Sequence, residues 1–136
     1  MHGLSRPFKW TTATISRSAK NFYANHGCTI LDCNTIKIGD NCLLAPHVCI
    51  SAATHPLEAH LRVSGQELTA PIVIGDNCWI GANATICPGV TLGDNVVVGA
   101  GAVVVKDCGD NVVIAGVPAV VIKHIDNSFS ADSNND

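Results

Sequence analysis

Aliphatic residues return every six positions through most of this chain. Ile38, Leu44 and Ile50 begin the series, and Ile74, Ile80, Ile86, Leu92, Val98 and Val104 resume it in the same phase. Four positions after each aliphatic stands a small or β-branched residue: Cys42, Val48, Thr54, Cys78, Ala84, Val90, Val96, Ala102, Cys108. Three positions after it, most units place Asn41, His47, Asn77, Asn83, Gly89, Asn95 or Gly101. Gly and Asn enter the left-handed backbone region at little cost, so each unit reads as a short strand followed by a corner. The triplet Gly-Asp-Asn recurs at 39–41, 75–77 and 93–95.

A period of six fits no single helical face, and a simple two-faced strand would lack such regular corners. Three strand-corner units make a triangular coil of about 18 residues, with the aliphatics stacked inside a prism. The expected fold is therefore all-β, a single-stranded parallel β-helix of hexapeptide repeats, over residues 20–125. Residues 1–19 are expected to form a short irregular N-terminal segment, and the polar stretch 126–136 a disordered tail. The rhythm breaks once, between His55 and Ile72, where nothing aliphatic occupies positions 56 and 62. That stretch is expected to protrude as a loop, and loops on a rigid scaffold often carry function.

Composition narrows the class. In 136 residues, eight Lys+Arg stand against eleven Asp+Glu, and aromatics reach only 4%. One domain is the expectation, with a core of Val, Ile, Leu, Ala and Cys. The chain has no Lys/Arg cluster to serve as a nucleic-acid footprint, no apolar run of membrane-spanning length, and no apolar signal region after Met1. The seven cysteines are odd in number and form no Cys-x-x-Cys pair. Reduced thiols in a reducing, cytoplasmic compartment are the reading, with Cys42, Cys78 and Cys108 as small core fillers.

Several motifs are more specific than the repeat. Asn21-Phe22-Tyr23-Ala24-Asn25 and Ile30-Leu31-Asp32 precede Ala53-Thr54-His55-Pro56-Leu57, which is followed by Leu61-Arg62. Then come Pro71-Ile72-Val73-Ile74-Gly75-Asp76-Asn77, Trp79-Ile80-Gly81, Gly99-Ala100-Gly101 and Ala115-Gly116-Val117-Pro118-Ala119. From Asn21 to Lys123 the chain resembles the maltose/galactoside O-acetyltransferase family of hexapeptide acyltransferases. The resemblance implies a left-handed coil, against the usual right-handed rule for parallel crossovers. It also implies transfer of an acetyl group from acetyl-coenzyme A to a hydroxyl of a sugar or related acceptor, with no metal.

By the same resemblance His55 is the general base. A sugar hydroxyl is a poor nucleophile at neutral pH, and an imidazole can take its proton as the oxygen attacks the thioester, with no acetyl-enzyme. Tyr23, Asn25 and Asp32 fall at acceptor-facing positions, although each also suits a turn. The backbone N–H of Ala82 falls at the oxyanion-stabilising position. Coenzyme A is expected along the prism edge past Trp79, Ala100, Val105 and Lys106, with Lys123 near its phosphates. Val120 stands where relatives often carry a basic residue, which implies fewer phosphate contacts. Family members are trimers with sites between neighbouring prisms, so a homotrimer is expected.

Two departures favour a competing reading, a catalytically impaired subunit or binding protein. The family carries a helical N-terminal module, and almost nothing precedes Pro7. Relatives also read like Cys-Asp-Tyr-Gly-Tyr-Asn-Ile-x-Ile-Gly where this chain has Trp10-Thr11-Thr12-Ala13-Thr14-Ile15-Ser16-Arg17-Ser18-Ala19. One permitted codon spelling of 10–20, read from its third base, encodes Asp-Tyr-Gly-Tyr-Asn-Ile-Ser-Ile-Gly-Lys. A compensated frameshift would therefore explain the segment, and would put Thr11 in place of an acidic pocket residue. A third reading is a zinc carbonic anhydrase of the trimeric hexapeptide type. His55 and His60 fit two of its three histidine ligands, no histidine lies near Ala19, and His47 is the only nearby substitute.

Overall fold

The computed structural model describes residues 19–127. The six-residue period becomes a coil with three faces. Parallel strands Tyr23–Ala24, Leu43–Leu44, Trp79–Ile80, Val96–Val98 and Val112–Ala115 stack on the first face. Thr29–Leu31, Cys49–Ser51, Thr85–Ile86 and Val103–Val104 stack on the second, and Ile36–Ile38, Ile72–Ile74 and Thr91–Leu92 on the third. The altered stretch at 10–18 and the tail beyond Asn127 lie outside the described residues.

Side chains alternate between the prism interior and the outside, as strand geometry requires. Ile36 and Ile38 are buried, and Lys37 between them is exposed. The aliphatic series from Ile38 to Val104 lies at 0 or 1% exposure, as do Cys42, Val48, Cys78, Ala84, Val90, Val96 and Ala102. Each fully buried Ile or Leu in this ladder contributes about 2–3 kcal/mol. Thr54, though in phase with the repeat, is exposed, because the chain has already left the coil there.

The corners follow the sequence closely. All seven named corner residues, from Asn41 to Gly101, have φ between +54 and +85. The Gly-Asp-Asn triplets stack on the corner between the first and third faces. There the Oδ1 atoms of Asp76, Asp94 and Asp110 accept the backbone N–H groups of Asp40, Asp76 and Asp94, each at 2.8 Å. Side-chain amides form a second ladder beside them, Asn21 donating to Asn41 at 2.8 Å and Asn95 to Asn111 at 2.9 Å. A Cβ on Gly39, Gly75 or Gly93 would collide with the carboxylate of the next coil's aspartate.

Coil length varies at both ends. Thr85 pairs with Val103, 18 positions on, whereas Tyr23 pairs with Leu43 after 20 and Val96 with Val112 after 16. The two extra residues of the first coil lie in the corner 32–35. The shortened last coil ends on Gly109-Asp110-Asn111, a fourth triplet out of phase with the sequence repeat. Val120–His124 then turns back antiparallel on Val112–Ala115 and covers that strand's edge.

The excursion leaves and re-enters between the second and third faces. Leu43 pairs with Trp79, 36 positions on, twice an ordinary coil. The insertion thus consumes three hexapeptides, and the phase emerges intact. Its base is an antiparallel pair of Ala53–Thr54 with Leu68–Thr69, and it contains one helical turn, Ala59–Val63.

Candidate active site

His55 owes its position to the residues on either side. Ala52 still belongs to the coil, donating to Leu31 O and accepting from Ala70 N–H, both at 3.0 Å. Ala53 and Thr54 form the stalk, His55 stands exposed at its end, and Pro56 is buried beneath. Proline fixes its own φ and biases the preceding residue toward extended backbone, so the imidazole projects from a stiff base. Arg62 reaches back from the helical turn, its Nη1 donating to Pro56 O at 3.2 Å and Leu57 O at 3.0 Å. The returning strand is tied to the widened corner by Asn34 Nδ2, which donates to Thr69 Oγ1 at 3.1 Å.

The remaining sequence-named residues fall into three groups on the prism. Asp32, Val105 and Lys106 share the corner between the second and third faces with the stalk of His55. Tyr23, Trp79 and Lys123 lie on the first face. Their register runs Tyr23, Leu43, Trp79, Val97, Val113, Lys123, so all six point outward in one column. Asn25, Ala82 and Ala100 occupy the corner between the first and second faces. In a triangular section the corner bearing His55 is opposite the first face, so one prism does not bring the first-face residues to His55. The coenzyme residues expected along one edge are spread over a face and two corners.

Individual roles take more definite form in the geometry. Asn25 closes a turn, its Oδ1 accepting the N–H of His26 at 2.8 Å. Ala82 O accepts from Gly101 N–H at 2.8 Å, while the Ala82 N–H donates to no acceptor among the described residues. Leu43, which sequence reasoning passed over, sits between Tyr23 and Trp79 with 47% of its surface exposed. Its signal was present: it precedes an inward aliphatic, as Trp79 does. Arg62 and Asn34 were also missed as loop anchors, because nothing in their spacing shows which carbonyl or hydroxyl they reach.

The thiols are arranged as core, not as nucleophiles. Cys42 and Cys78 stack inside the first face, where their Sγ atoms donate to Gly75 O at 3.1 Å and Gly93 O at 3.3 Å, and the adjacent Cys42 thiol and burial push the Cys78 thiol up. Burial also raises Cys49, Cys87 and Cys108. Cys33 is exposed at the widened corner, and slight burial together with the charges of Glu67 and Asp32 raises its thiol too. Among the described residues of a single chain no three His, Cys, Asp or Glu side chains converge as metal ligands.

The chain has relatives along most of its length. The hexapeptide repeat of succinyl-transferase matches residues 71–106. Galactoside O-acetyltransferase of Escherichia coli is 53% identical over 106 residues, covering 78% of this chain and 52% of that protein. A putative acetyltransferase of Staphylococcus aureus is 39% identical over 133 residues, covering 98% of this chain and 67% of its own length. Among solved structures, a maltose O-acetyltransferase from Clostridium difficile superposes with a TM-score of 0.78 at 53% identity, covering 80% of this chain and 58% of that one. A galactoside acetyltransferase in complex with coenzyme A gives 0.79 at 48%, covering 86% and 60%. The chain spans about half the length of the first curated relatives it matches. With the likeness comes the winding of the coil, which is left-handed. The chain belongs to the maltose/galactoside O-acetyltransferase family of hexapeptide-repeat acyltransferases.

Proposed function

We propose that this protein transfers an acetyl group from acetyl-coenzyme A to a hydroxyl of a sugar or related acceptor, with His55 as general base. The observation that carries the reading is the exposed imidazole of His55 on a stiff stalk, between Thr54 and a buried Pro56, in a chain of this family. The imidazole takes the hydroxyl proton as the acceptor oxygen bonds to the thioester carbonyl carbon. The Ala82 N–H steadies the resulting oxyanion. The carbon–sulfur bond then breaks, and the imidazolium returns the proton to the departing coenzyme A thiolate. A solved relative holds coenzyme A, which supports that co-substrate. In this reading Trp79, Ala100 and Val105 flank the pantetheine arm, Lys106 and Lys123 face its phosphates, and Tyr23, Asn25 and Asp32 face the acceptor.

The same reading makes the working form a homotrimer. Residues of the first face and residues of the corner bearing His55 meet only when a neighbouring prism presents its first face to that corner. Tyr23, Leu43 and Trp79 are each about half exposed on that face, the kind of apolar surface that a partner covers. Acetyl-coenzyme A and seven free thiols both suit a reducing, cytoplasmic setting. No helix is long and apolar enough to cross a membrane.

The test is release of coenzyme A from acetyl-coenzyme A in the presence of a panel of sugars, by wild type and His55→Ala. The proposal expects sugar-dependent turnover that falls by about 100-fold or more in the variant. Equal turnover by both removes His55 from the chemistry. Sugar-independent release by both, or none by wild type, favours the impaired-subunit reading.

A further inference from the structure

Arg62 would ordinarily pass for a solvated surface charge, because its side chain is exposed and lies on a protruding loop. Its contacts say otherwise. One nitrogen, Nη1, donates to two consecutive carbonyls, Pro56 O at 3.2 Å and Leu57 O at 3.0 Å. These are the two residues that directly follow His55. Neither carbonyl lies within a strand or helix. The helical turn itself starts without a side-chain cap, its first carbonyl partner being Glu58 O, which accepts from Leu61 and Arg62 N–H at 3.1 and 3.0 Å.

The segment between the stalk and the helical turn is therefore held from two sides. Pro56 is buried, and the guanidinium closes over its carbonyl and the next. We propose that Arg62 is a positioning residue, which fixes the backbone that carries His55 and so sets where the imidazole points. Hydrogen bonds from a charged donor are roughly twice as strong as neutral ones, which suits a role in which a few tenths of an ångström count. The proposal rests on His55 acting as base. A residue that only stabilises the loop would not distinguish the base's placement from the coenzyme's.

The experiment compares wild type with Arg62→Ala, Arg62→Leu and Arg62→Lys, each also made in a His55→Ala background. Arg62→Leu keeps an apolar stem but no donors, and Arg62→Lys restores a cationic donor. The expected result is a fall in kcat of about tenfold in Arg62→Ala and Arg62→Leu, with KM for acetyl-coenzyme A changed less than about twofold. Arg62→Lys recovers most of that loss. In the His55→Ala background, Arg62→Ala produces no further fall, because it acts through the missing imidazole. Independently of turnover, the His55 imidazole resonance, assigned by its disappearance in His55→Ala, shifts in Arg62→Ala and returns toward its wild-type place in Arg62→Lys. Equal losses from Arg62→Ala in both backgrounds, or an unmoved His55 resonance, overturn the proposal. Should His55→Ala keep full activity, the base assignment fails, and the resonance alone still decides whether Arg62 positions that ring.

Discussion

Asp94 Oδ1 accepts the backbone N–H of Asp76 at 2.8 Å, and it reaches that N–H across a residue with no side chain, Gly75. A Cβ on Gly75 would lie 2.6 Å from Gly93 O and closer still to the Asp94 carboxylate. Gly75→Ala is expected to cost about 2 kcal/mol or more in urea unfolding, because both the carboxylate and a backbone segment must shift. Gly109→Ala is the control, since nothing lies within 4 Å of the added methyl, and it should stay within about 0.5 kcal/mol of wild type. Equal effects at the two positions would contradict the role assigned to this corner.

The neighbouring asparagines serve through their backbone angle and their amide together. Asn95 has φ +54 and donates to Asn111 Oδ1 at 2.9 Å. Asn95→Gly should lose the amide bond alone, about 1 kcal/mol. Asn95→Ala should lose a further 1 kcal/mol or so, since alanine resists the left-handed region. The order of thermal midpoints, wild type above Asn95→Gly above Asn95→Ala, checks both.

The cysteines predict an alkaline sensitivity. Thiols whose folded pKa is raised hold their protons in the native state after the unfolded chain has begun to release them. Their contribution is complete below the ordinary thiol range, and it fades as pH climbs through and above that range. Cys49, Cys87 and Cys108, each raised chiefly by burial, all shift in this direction. The thermal midpoint should therefore decline from about pH 8.5 upward, and less steeply in Cys49→Ala. Iodoacetamide should alkylate exposed Cys33 well before Cys42 or Cys78, at a rate that is low at neutral pH and rises into the alkaline range. Peptide mass spectrometry reads the order.

Assembly has its own test. Sedimentation should give three copies of a 14.1 kDa chain, and Leu43→Glu, which sets a charge between Tyr23 and Trp79, should shift the population toward monomer. A wild-type monomer would remove the arrangement that joins the first-face residues to the corner of His55.

Much of this architecture could be read from spacing, for a physical reason. Each inward position from Ile38 to Val104 must fill the same prism section, and each corner must reach the same backbone angle, so one constraint is written many times. Where the constraint is written once, the reading falters. Gly109-Asp110-Asn111 repeats the corner chemistry but sits in a 16-residue coil, so a strict count of six steps past it. Thr54 kept the phase of the repeat yet lies outside, because pairing with Leu68 replaces coil stacking at that point. At the candidate site, the departure of the chain from the coil at His55 was legible from the break in the six-residue rhythm. The bond from Arg62 to two carbonyls was not, since it depends on how a loop folds back on itself. The separation of Tyr23 and Trp79 from the corner of His55 was equally hidden, because spacing along a chain does not show which face each unit occupies.

The central claim, that the His55 imidazole takes the proton from an acceptor hydroxyl, is met most directly by a crystal structure of the protein with coenzyme A and an acceptor sugar. The account predicts an imidazole nitrogen about 3 Å from one sugar hydroxyl, with the coenzyme's sulfur beside that hydroxyl and a neighbouring first face closing the cleft. An imidazole directed away from the sugar, with the coenzyme bound elsewhere on the prism, would contradict it.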